Sequence, residues 1–400
     1  MKKYILNIIL LVILGVVSGH AQTLDEYFKT AAENNPGLQS KYKEFEAALQ
    51  KVPQVNSLPD PTVSFSYFFP KMMSQRASVS LTQMFPWFGT LSAQGNAAAL
   101  MAEAQYQSFL DAQNQLYYEV SAAYYPLYEL NRLREIEQKN IDILESYKSI
   151  ANSKFKNGLA PMVDVLRVDI MLKDAVSNLS ILNMKEKSLK ATFNKLLNRD
   201  VTEEVSINTS LATETLRGSF RRDSIAVNNP MLNALDLKIK ASEASEIAAQ
   251  KDGLPKLGVG LDYAIMDNGK NIVMPMVSIS IPIYRKKYKA AKKEAQLMQE
   301  SYTLQKMEVA NSLISNYEMT WFEIQQQKEL ISLYEQQTKE SNQSLILLFS
   351  AYSNFGKDFE EVLRMQQQLL KYEKMKATAE VEYYIALAKL NYITAKHIGK

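Results

Sequence analysis

The sequence lacks residue types on which much protein chemistry depends. It contains no cysteine, and its two histidines are His20 and His397. Without cysteine there are no disulfides, thiolate metal sites, cysteine nucleophiles or lipid-modified N-terminal cysteine. With one histidine near each end, Ser-His-Asp catalysis and histidine-based metal catalysis have almost nothing to work with. We therefore expect neither an enzyme nor a protein with a tightly bound metal or cofactor.

Glycine, proline and net charge are also scarce. The 400 residues include 13 Gly and 12 Pro, and the formal net charge is +3. Few Gly and Pro residues, together with abundant Ala, Leu, Gln, Glu and Lys, favour long helices. A chain with nearly balanced charge has no electrostatic reason to bind nucleic acid.

The segment 1–21 is typical of an export signal. Lys2 and Lys3 precede an apolar stretch, and small residues then lead up to Ala21. A basic start, an apolar core and a small-residue cleavage site together define a secretory signal peptide. The alternative is a transmembrane anchor, but the glycine- and serine-rich end of the segment favours cleavage. No later stretch has the roughly 18 uncharged apolar residues that a spanning helix requires.

The rest of the sequence consists of two similar halves. We predict a first repeat over 22–198, a connector over 199–221 and a second repeat over 222–400. Four short segments recur in the same order at an offset of about 195 residues, which indicates an internal duplication. The matched segments are Asn34-Asn35-Pro36 with Asn228-Asn229-Pro230, Leu58-Pro59 with Leu254-Pro255, Val79-Ser80-Leu81 with Val277-Ser278-Ile279, and Val165-Leu166-Arg167 with Val362-Leu363-Arg364.

Each half is predicted to contain one helix, two short strands and two long helices. The apolar positions of the long helices step by three, four and seven residues, which is typical of coiled coils. Pro126 lies inside the first long helix and predicts a bend or a break there. The predicted helices cover 23–51, 89–156, 161–197, 222–252, 286–354 and 358–396, and the predicted strands cover 61–69, 77–85, 256–264 and 273–283.

The strands alternate between apolar and small polar residues, as in Val63, Phe65 and Tyr67 against Ser64 and Ser66. One interpretation is a half-buried sheet packed on helices. The other is a membrane barrel with lipid outside and water inside, since strands of about nine residues suit a tilted span. Four strands cannot close a barrel, and open edges are not tolerated in lipid. The membrane interpretation therefore requires an oligomer.

The order of these segments resembles the TolC-type outer-membrane efflux protein family over almost the whole mature chain. Asn34-Asn35-Pro36 and Asn228-Asn229-Pro230 are similar to that family's first-helix motif. The segment 156–166 is similar to its turn between long helices. The segments 58–61 and 80–91 resemble the heavy-metal, cation-exporting branch.

The resemblance implies a mainly α fold with a small β part. Duplicated coiled-coil hairpins would form an α-barrel, and four transmembrane strands per protomer would complete a 12-stranded β-barrel in a homotrimer. The trimer would lie in the outer membrane of a Gram-negative bacterium, with a long periplasmic portion. It would be a passive exit duct that contacts a periplasmic adaptor (membrane fusion) protein and an inner-membrane pump of the resistance-nodulation-division type.

The resemblance also implies two sets of site residues. The adaptor-docking tip comprises Asn157, Gly158, Leu159, Phe355, Gly356 and Lys357, and the periplasmic gate comprises Asp164, Tyr352, Lys357 and Glu361. Lys357 replaces the family's usual arginine, and Arg364 replaces a second acid, so one acidic ring is expected instead of two.

Local rules give a second interpretation of the tip residues. Gly158 fits the C′ position of one helix and Pro161 the N1 position of the next. Asp358 and Glu361 fit a capping box. Asp164 and Glu361 are equally explained as acids that complement a helix dipole.

The transported substrate stays open at this point. By strand parity Met274 and Met276 lie on the Ser278 side of the sheet and offer a weak path for soft metals such as Cu(I) or Ag(I). The alternative is that they are adaptable apolar filler. We expect an exit duct for metal cations; the alternatives are a multidrug or type I secretion channel, and a secreted coiled-coil adhesin or scaffold.

Overall fold

A computed structural model of the chain describes residues 23–72, 75–207, 228–267, 269–355 and 358–396. The predicted signal peptide, most of the connector, Gly356 and Lys357 lie outside these described residues. The elements are α1 (Leu24–Asn34), α2 (Pro36–Asn56), β1 (Thr62–Met72), β2 (Gln75–Phe85), α3 (Thr90–Lys156), α4 (Met162–Leu196), α5 (Pro230–Asp252), β3 (Lys256–Met266), β4 (Ile272–Ser280), α6 (Lys286–Phe355) and α7 (Phe359–Ile393).

The single helix predicted over 23–51 is wrong, because the chain forms α1 and α2 with a break at Asn35. Asn35 has an extended conformation, and its side chain accepts a hydrogen bond from the Leu38 amide at 3.0 Å. Pro36 follows at the first helical position, where its missing N–H costs nothing, and it disfavours the helical conformation for the residue before it. The Asn-Pro pair is therefore a helix start.

The same device begins α5 in the second half. Asn229 accepts hydrogen bonds from the amides of Met231 and Leu232 at 3.0 and 3.4 Å. The amide groups of the two capping residues also have equivalent long-range partners. Asn35 donates to the Leu196 carbonyl at the end of α4, and Asn229 donates to the Ile393 carbonyl at the end of α7. In each half, the repeated motif ties the start of a short helix to the end of that half's last helix.

The long helices α3 and α6 contain 67 and 70 residues. At about 1.5 Å per residue each extends roughly 100 Å. A break at Pro126 is wrong, since α3 continues through that residue. Tyr124 and Leu127 on either side are buried in one apolar cluster with Phe193, and this packing offsets the loss of one helical hydrogen bond.

The helices pack side by side in two partly different orders. Near the sheet, α3 lies between α2 and α5, and α5 also contacts α6. Toward the far end, α3 lies between α4 and α7, and α6 packs on the other side of α7. We call α3 with α4 the first hairpin and α6 with α7 the second hairpin. Each hairpin leaves one helix, α4 or α6, at an edge of the molecule.

The contact between the two hairpins is apolar near the turns and polar farther up. The turn-end cluster includes Leu144, Val168 and Val362. Above it, Glu137 of α3 is fully buried and forms an ion pair with Lys374 of α7. The contact between the two hairpins therefore contains a buried charge.

The four strands form one antiparallel sheet in the order β1-β2-β3-β4. The β2–β3 pairing joins the two halves of the chain. The predicted alternation is confirmed across the whole sheet by the register, in which Ser64 pairs with Ser80, Ser80 with Asp262, and Asp262 with Met274. The neighbouring row is apolar and runs through Phe65, Val79, Tyr263 and Val273.

The mainly helical fold with a small antiparallel sheet is as predicted. Among the described residues, no helix combines the length and apolarity that crossing a membrane requires.

Candidate functional site

The first hairpin turns at Gly158, which has a φ of 70°. The Gly158 amide donates to the Phe155 carbonyl at 3.0 Å, and the Leu159 amide donates to the Lys154 carbonyl at 2.8 Å. This bond pattern is a Schellman motif, and it requires a left-handed residue that glycine supplies without strain. Pro161 is the N-cap of α4, one position earlier than predicted. The turn presents Asn157, Gly158 and Leu159 to solvent.

The second hairpin resumes at Asp358, which caps α7. Its carboxylate accepts a hydrogen bond from the Glu360 amide at 3.0 Å. The predicted capping box with Glu361 is wrong. Glu361 instead approaches the Arg364 guanidinium one turn further on, at 4.0 Å, because these residues lie on the same helix face. Of the other tip residues predicted here, Gly356, Lys357 and the side chain of Phe355 lie outside the described residues.

Lys154 joins the two hairpins at this end of the molecule. Its ammonium donates to the carbonyls of Tyr352 and Ser353 at 2.6 and 3.3 Å, and it lies 4.2 Å from the centroid of the Tyr352 ring. The last carbonyls of α6 have no partner within their own helix, and a cation there also complements the helix dipole. Sequence analysis missed Lys154, since its partners lie in the other repeat.

Asp164 and Tyr352 are brought together beneath this link. They are 6% and 3% exposed. Burial raises the pKa of Asp164; the Arg167 guanidinium opposes this shift and the Asp358 carboxylate adds to it. Burial and the negative charge of Asp164 also raise the pKa of the Tyr352 hydroxyl. Two predicted gate residues thus share one buried environment within a protomer.

Tyr352 is fixed by its ring and not by its hydroxyl. The ring stacks on Phe359 with centroids 4.3 Å apart. Within the described part of the chain the buried hydroxyl has no hydrogen-bond partner. The position of Tyr352 therefore depends on the packing of its ring.

A second link between the hairpins lies near the same turns. The Arg167 guanidinium of α4 is 2.9 Å from the Glu360 carboxylate of α7. The sequence indicated Arg167 only as part of a repeated segment and gave no sign of this ion pair. Glu361 is predicted as a bore-lining acid, and it lies one position beyond this ion pair on α7, with its side chain half exposed.

The small polar face of the sheet holds the predicted methionines. Met274 pairs with Asp262 and Met276 with Gly260, so both lie on the Ser278 side as parity predicts. A Cβ on Gly260 would lie 2.6 Å from the Leu81 carbonyl oxygen, so this strand must have glycine to pair so closely. No group of three or more His, Cys, Asp or Glu side chains that could hold a metal ion occurs among the described residues.

Sequence analysis missed a third methionine on this face. Met84 of β2 pairs with Gly258, and its sulfur accepts a hydrogen bond from the Ser278 hydroxyl at 3.9 Å. A Cβ on Gly258 would overlap both of these side chains. The glycine thus lets residues of β2 and β4 meet across β3. The alternation along β2 could have indicated this position, because Met84 is an even number of residues from Ser78 and Ser80 on the same face.

Residues 28–198 match the family model for outer membrane efflux proteins. A comparison with curated proteins gives no match. Solved structures with the same fold include the outer-membrane channel OprN, with 17% identity over 94% of this chain and 90% of that one, at a TM-score of 0.78. CusC has 14% identity over 93% and 91% of the two chains, at a TM-score of 0.79. VceC from Vibrio cholerae has 13% identity over 93% and 95%, at a TM-score of 0.75.

These similarities cover both halves of the chain, from α1 to α7. They show that the chain has the fold of the outer-membrane channels. The match to the family model for outer membrane efflux proteins covers residues 28–198, which lie in the first half of the chain.

Proposed function

We propose that this chain is the subunit of a homotrimeric outer-membrane channel, the exit duct of a tripartite efflux system, and that it conducts metal cations passively. The observation that carries the proposal is the open sheet. One face is apolar and exposed, as at Phe65 and Val277, and the other carries mainly Ser, Gly, Thr and Met, together with Asp262 and Lys256. Lipid on the apolar face and water on the polar face satisfy both.

The edges of this sheet require further copies. Among the described residues, strands β1 and β4 each have a partner strand on one side only. In lipid their free N–H and C=O groups have no water to bond, so an open edge is disfavoured. Pairing β4 of one protomer with β1 of the next repeats the same contact around a ring, which closes with three copies into twelve strands.

The helical part offers matching edges. The free face of α4 exposes Leu166, Ile170 and Met184, and α6 exposes Leu304 and Phe322. At the turn end α4 packs on α3 and only its first turns also contact α7, while α6 packs on α7. A neighbouring protomer would cover these apolar side chains and continue the wall of the cylinder. The same rotation that joins β4 to β1 would bring α6 beside α4.

The two turns form the adaptor-docking tip in this proposal. Asn157, Gly158 and Leu159 are exposed, and nothing lies within 4 Å of the position a Gly158 Cβ would occupy. Phe355, Gly356 and Lys357 complete the tip by their place in the sequence. A periplasmic adaptor would contact this surface and connect it to an inner-membrane pump of the resistance-nodulation-division type.

The gate is proposed at Asp164, Tyr352, Lys357 and Glu361. The burial of Asp164 and Tyr352 supports a closed arrangement in which the two hairpins are held together. Glu361 is the bore-facing acid of the proposal, and three copies would attract cations into a narrow opening. Arg364 at 4.0 Å from Glu361 weakens this field compared with a doubled acidic ring.

Metal transport is supported by the methionines on the polar face of the sheet. Met84, Met274 and Met276 place thioethers along the polar face of the sheet, and thioethers prefer Cu(I) and Ag(I). A duct needs no tight site, because selectivity can reside in the pump and adaptor. The alternatives are a multidrug or type I secretion channel with the same architecture, and a secreted coiled-coil adhesin or scaffold.

The test is deletion of the gene followed by challenge with silver, copper, cobalt, zinc and cadmium, alongside dyes, detergents and bile salts. Sensitivity confined to metals, restored by the intact gene, is expected. Sensitivity to dyes and detergents with normal metal tolerance would contradict metal export and favour the multidrug alternative. Heat-resistant trimers in the outer-membrane fraction are expected in either case, and their absence would favour the adhesin.

A further inference from the structure

The segment 285–293, where the chain leaves the sheet and begins α6, is strongly basic and contains no acid. Its six cations are Arg285, Lys286, Lys287, Lys289, Lys292 and Lys293. In the described part of the chain only Lys292 among them has an ion-pair partner, the Glu246 carboxylate of α5 at 3.5 Å. The other five are exposed, and we call them the basic patch. It concentrates five positive charges in nine residues of a chain whose formal net charge is +3.

The basic patch is not explained by the stability of α6. Positive charges near the start of a helix oppose its dipole, and α6 has no acid in its first turn to compensate them. The corresponding helix of the first repeat, α3, follows β2 and has no charged residue between Gly89 and Ala102. The fold therefore permits an uncharged start of this helix, and the cations of the second repeat indicate a partner outside the helix.

The basic patch directly follows the apolar face of the sheet. Val277 and Ile279 of β4 belong to that face, and the chain continues beyond the strand with Ile281 and Ile283 at the same parity. Both isoleucines are mostly exposed, and Tyr284 beside the patch is 87% exposed. In the proposed channel this face meets lipid, so the further inference rests on the proposed function. An apolar band that ends in an aromatic ring and then in cations is typical of a membrane–water interface.

The patch is a fixed surface, because α5 holds the start of α6 in place. The Tyr288 ring packs on Gly253 at the end of α5, where a Cβ would lie 3.2 Å from the ring. The Lys287 ammonium lies 4.7 Å from the centroid of the same ring. Consecutive helical residues point about 100° apart, so the cations occupy most of the helix surface that α5 leaves open. One neighbouring helix cannot cover all five.

The dimensions of the patch match the headgroup region of a bilayer. Lys286 and Lys293 are seven residues apart, which is about 10 Å along the helix. The headgroup region is about 5–8 Å thick on each side of the hydrocarbon core, and electrostatic attraction extends roughly 8 Å further at physiological salt. With Ile283 at the edge of the hydrocarbon, all five cations lie within reach of headgroup phosphates.

We propose that the basic patch binds anionic phospholipid headgroups in the leaflet that faces the helical part of the channel. Ile281 and Ile283 contact the acyl chains, Tyr284 lies at the interface, and the ammonium and guanidinium groups contact the phosphates. Clusters of about four to eight Lys or Arg residues beside a membrane-embedded segment are typical of anionic-lipid recognition. Three patches around the trimer would hold the barrel at a fixed depth.

The test measures which lipid lies next to the patch. Ile283→Trp places a fluorescent reporter beside Arg285, and Trp87→Phe with Trp321→Phe removes the two native tryptophans. The reporter trimer is reconstituted in phosphatidylcholine vesicles with rising fractions of phosphatidylglycerol or phosphatidylcholine whose brominated chains quench tryptophan on contact. We expect phosphatidylglycerol to be preferred about five- to tenfold at low salt and the preference to fall toward equality in about 1 M NaCl. Equal quenching by the two lipids at low salt would overturn the proposal.

A matched pair of variants locates the preference. Lys287→Gln with Lys289→Gln removes two charges of the patch. Lys328→Gln with Lys339→Gln removes two exposed charges of the same helix, at least roughly 60 Å farther along it. We expect the first pair to reduce the preference for phosphatidylglycerol about two- to fourfold and the second to leave it unchanged. An equal loss in both, or no loss from the first pair, would overturn the assignment.

Other outcomes would give the patch a different partner. If Lys287→Gln with Lys289→Gln weakened heat-resistant trimers in both lipids without changing the lipid preference, the patch would contact a neighbouring protomer. If these changes shifted ion selectivity toward cations without changing the lipid preference, the side chains would line the bore. Either result would overturn lipid binding and leave the exit-duct function intact. A reporter that neither brominated lipid quenches would refute the lipid-facing sheet, and with it the proposed channel.

Discussion

Replacing Lys154 with methionine tests whether the link between the hairpins keeps the tip closed. Methionine keeps most of the apolar stem and removes the ammonium that bonds the carbonyls of Tyr352 and Ser353. A hydrogen bond from a charged group contributes about 1.5–3 kcal/mol and a cation–π contact about 0.5–1 kcal/mol when exposed. Because Lys154 is partly exposed, we take the low end, about 1.5 kcal/mol per subunit.

This loss of interaction free energy predicts a measurable increase in the fraction of open tips. A loss of about 1.5 kcal/mol multiplies the ratio of open to closed tips about twelvefold, so a tip open about 1% of the time would be open about 10% of the time. If the three subunits open together, their contributions add and the shift is larger. Single-channel recording in planar bilayers measures the open probability directly.

The control for this prediction is Lys156→Met in the same helical turn. Lys156 is exposed and forms no ion pair or hydrogen bond in the described part of the chain. We expect its open probability to match that of the unmodified channel. If Lys154→Met also left the open probability unchanged, or if both variants raised it equally, the reasoning about the link would be refuted.

Four further predictions concern the tip and the seam between the hairpins. Gly158→Trp is expected to abolish export while trimers still assemble, because the turn would be strained and its exposed surface blocked. Export assays measure the loss of transport, and gels of unheated samples show whether trimers form. Normal export would exclude docking at this turn. Glu361→Ala is expected to lower the preference for cations in reversal-potential measurements, and unchanged selectivity would count against the acidic ring. Burial raises the pKa of Asp164 in the closed tip, so proton uptake favours the closed state. The open probability should therefore decrease as the pH falls through the raised pKa toward the ordinary value near 4. Recordings at several pH values check this, and Asp164→Asn should abolish the pH dependence. Lys374→Met is expected to destabilise the protomer by about 3 kcal/mol, because it leaves the buried Glu137 carboxylate unpaired. Adding Glu137→Leu should restore most of the stability. Thermal unfolding followed by circular dichroism measures both, and a double variant that melted below the single one would contradict this reasoning.

Local sequence rules predicted most of the fold. The strand parity and the apolar spacing of the long helices depend on near neighbours, and both have the expected structural outcome. The failures are also local in origin. The helix over 23–51 was drawn through Asn35, although the Asn-Pro pair is a start signal, and the break at Pro126 ignored the packing of Tyr124 and Leu127.

The site was less accessible to sequence reasoning. Lys154 bonds carbonyls 198 and 199 positions away in the sequence. Contacts such as Lys154 with Tyr352 and Arg167 with Glu360 depend on how the two halves meet, and neither charge patterning nor spacing within one half contains that information. The capping box at Asp358 failed for a related reason, since Arg364 competes for the Glu361 carboxylate.

The most direct test of the central claim is cross-linking of β1 to β4 between protomers. The chain has no cysteine, so introduced pairs report without background. Ser64→Cys in β1 would be combined in turn with Met274→Cys, Met276→Cys and Ser278→Cys in β4. The pair Ser80→Cys with Asp262→Cys is the positive control, because these residues are direct partners within one protomer.

The account predicts that, after denaturation strong enough to separate heat-resistant trimers, at least one β1–β4 pair gives a ladder on non-reducing gels. This ladder ends at three subunits and collapses to monomer on reduction. Single-cysteine variants should remain monomeric on the same gels. If the control disulfide forms but no β1–β4 pair links protomers, or if the ladder ends at two subunits or continues beyond three, the closed trimeric channel is contradicted.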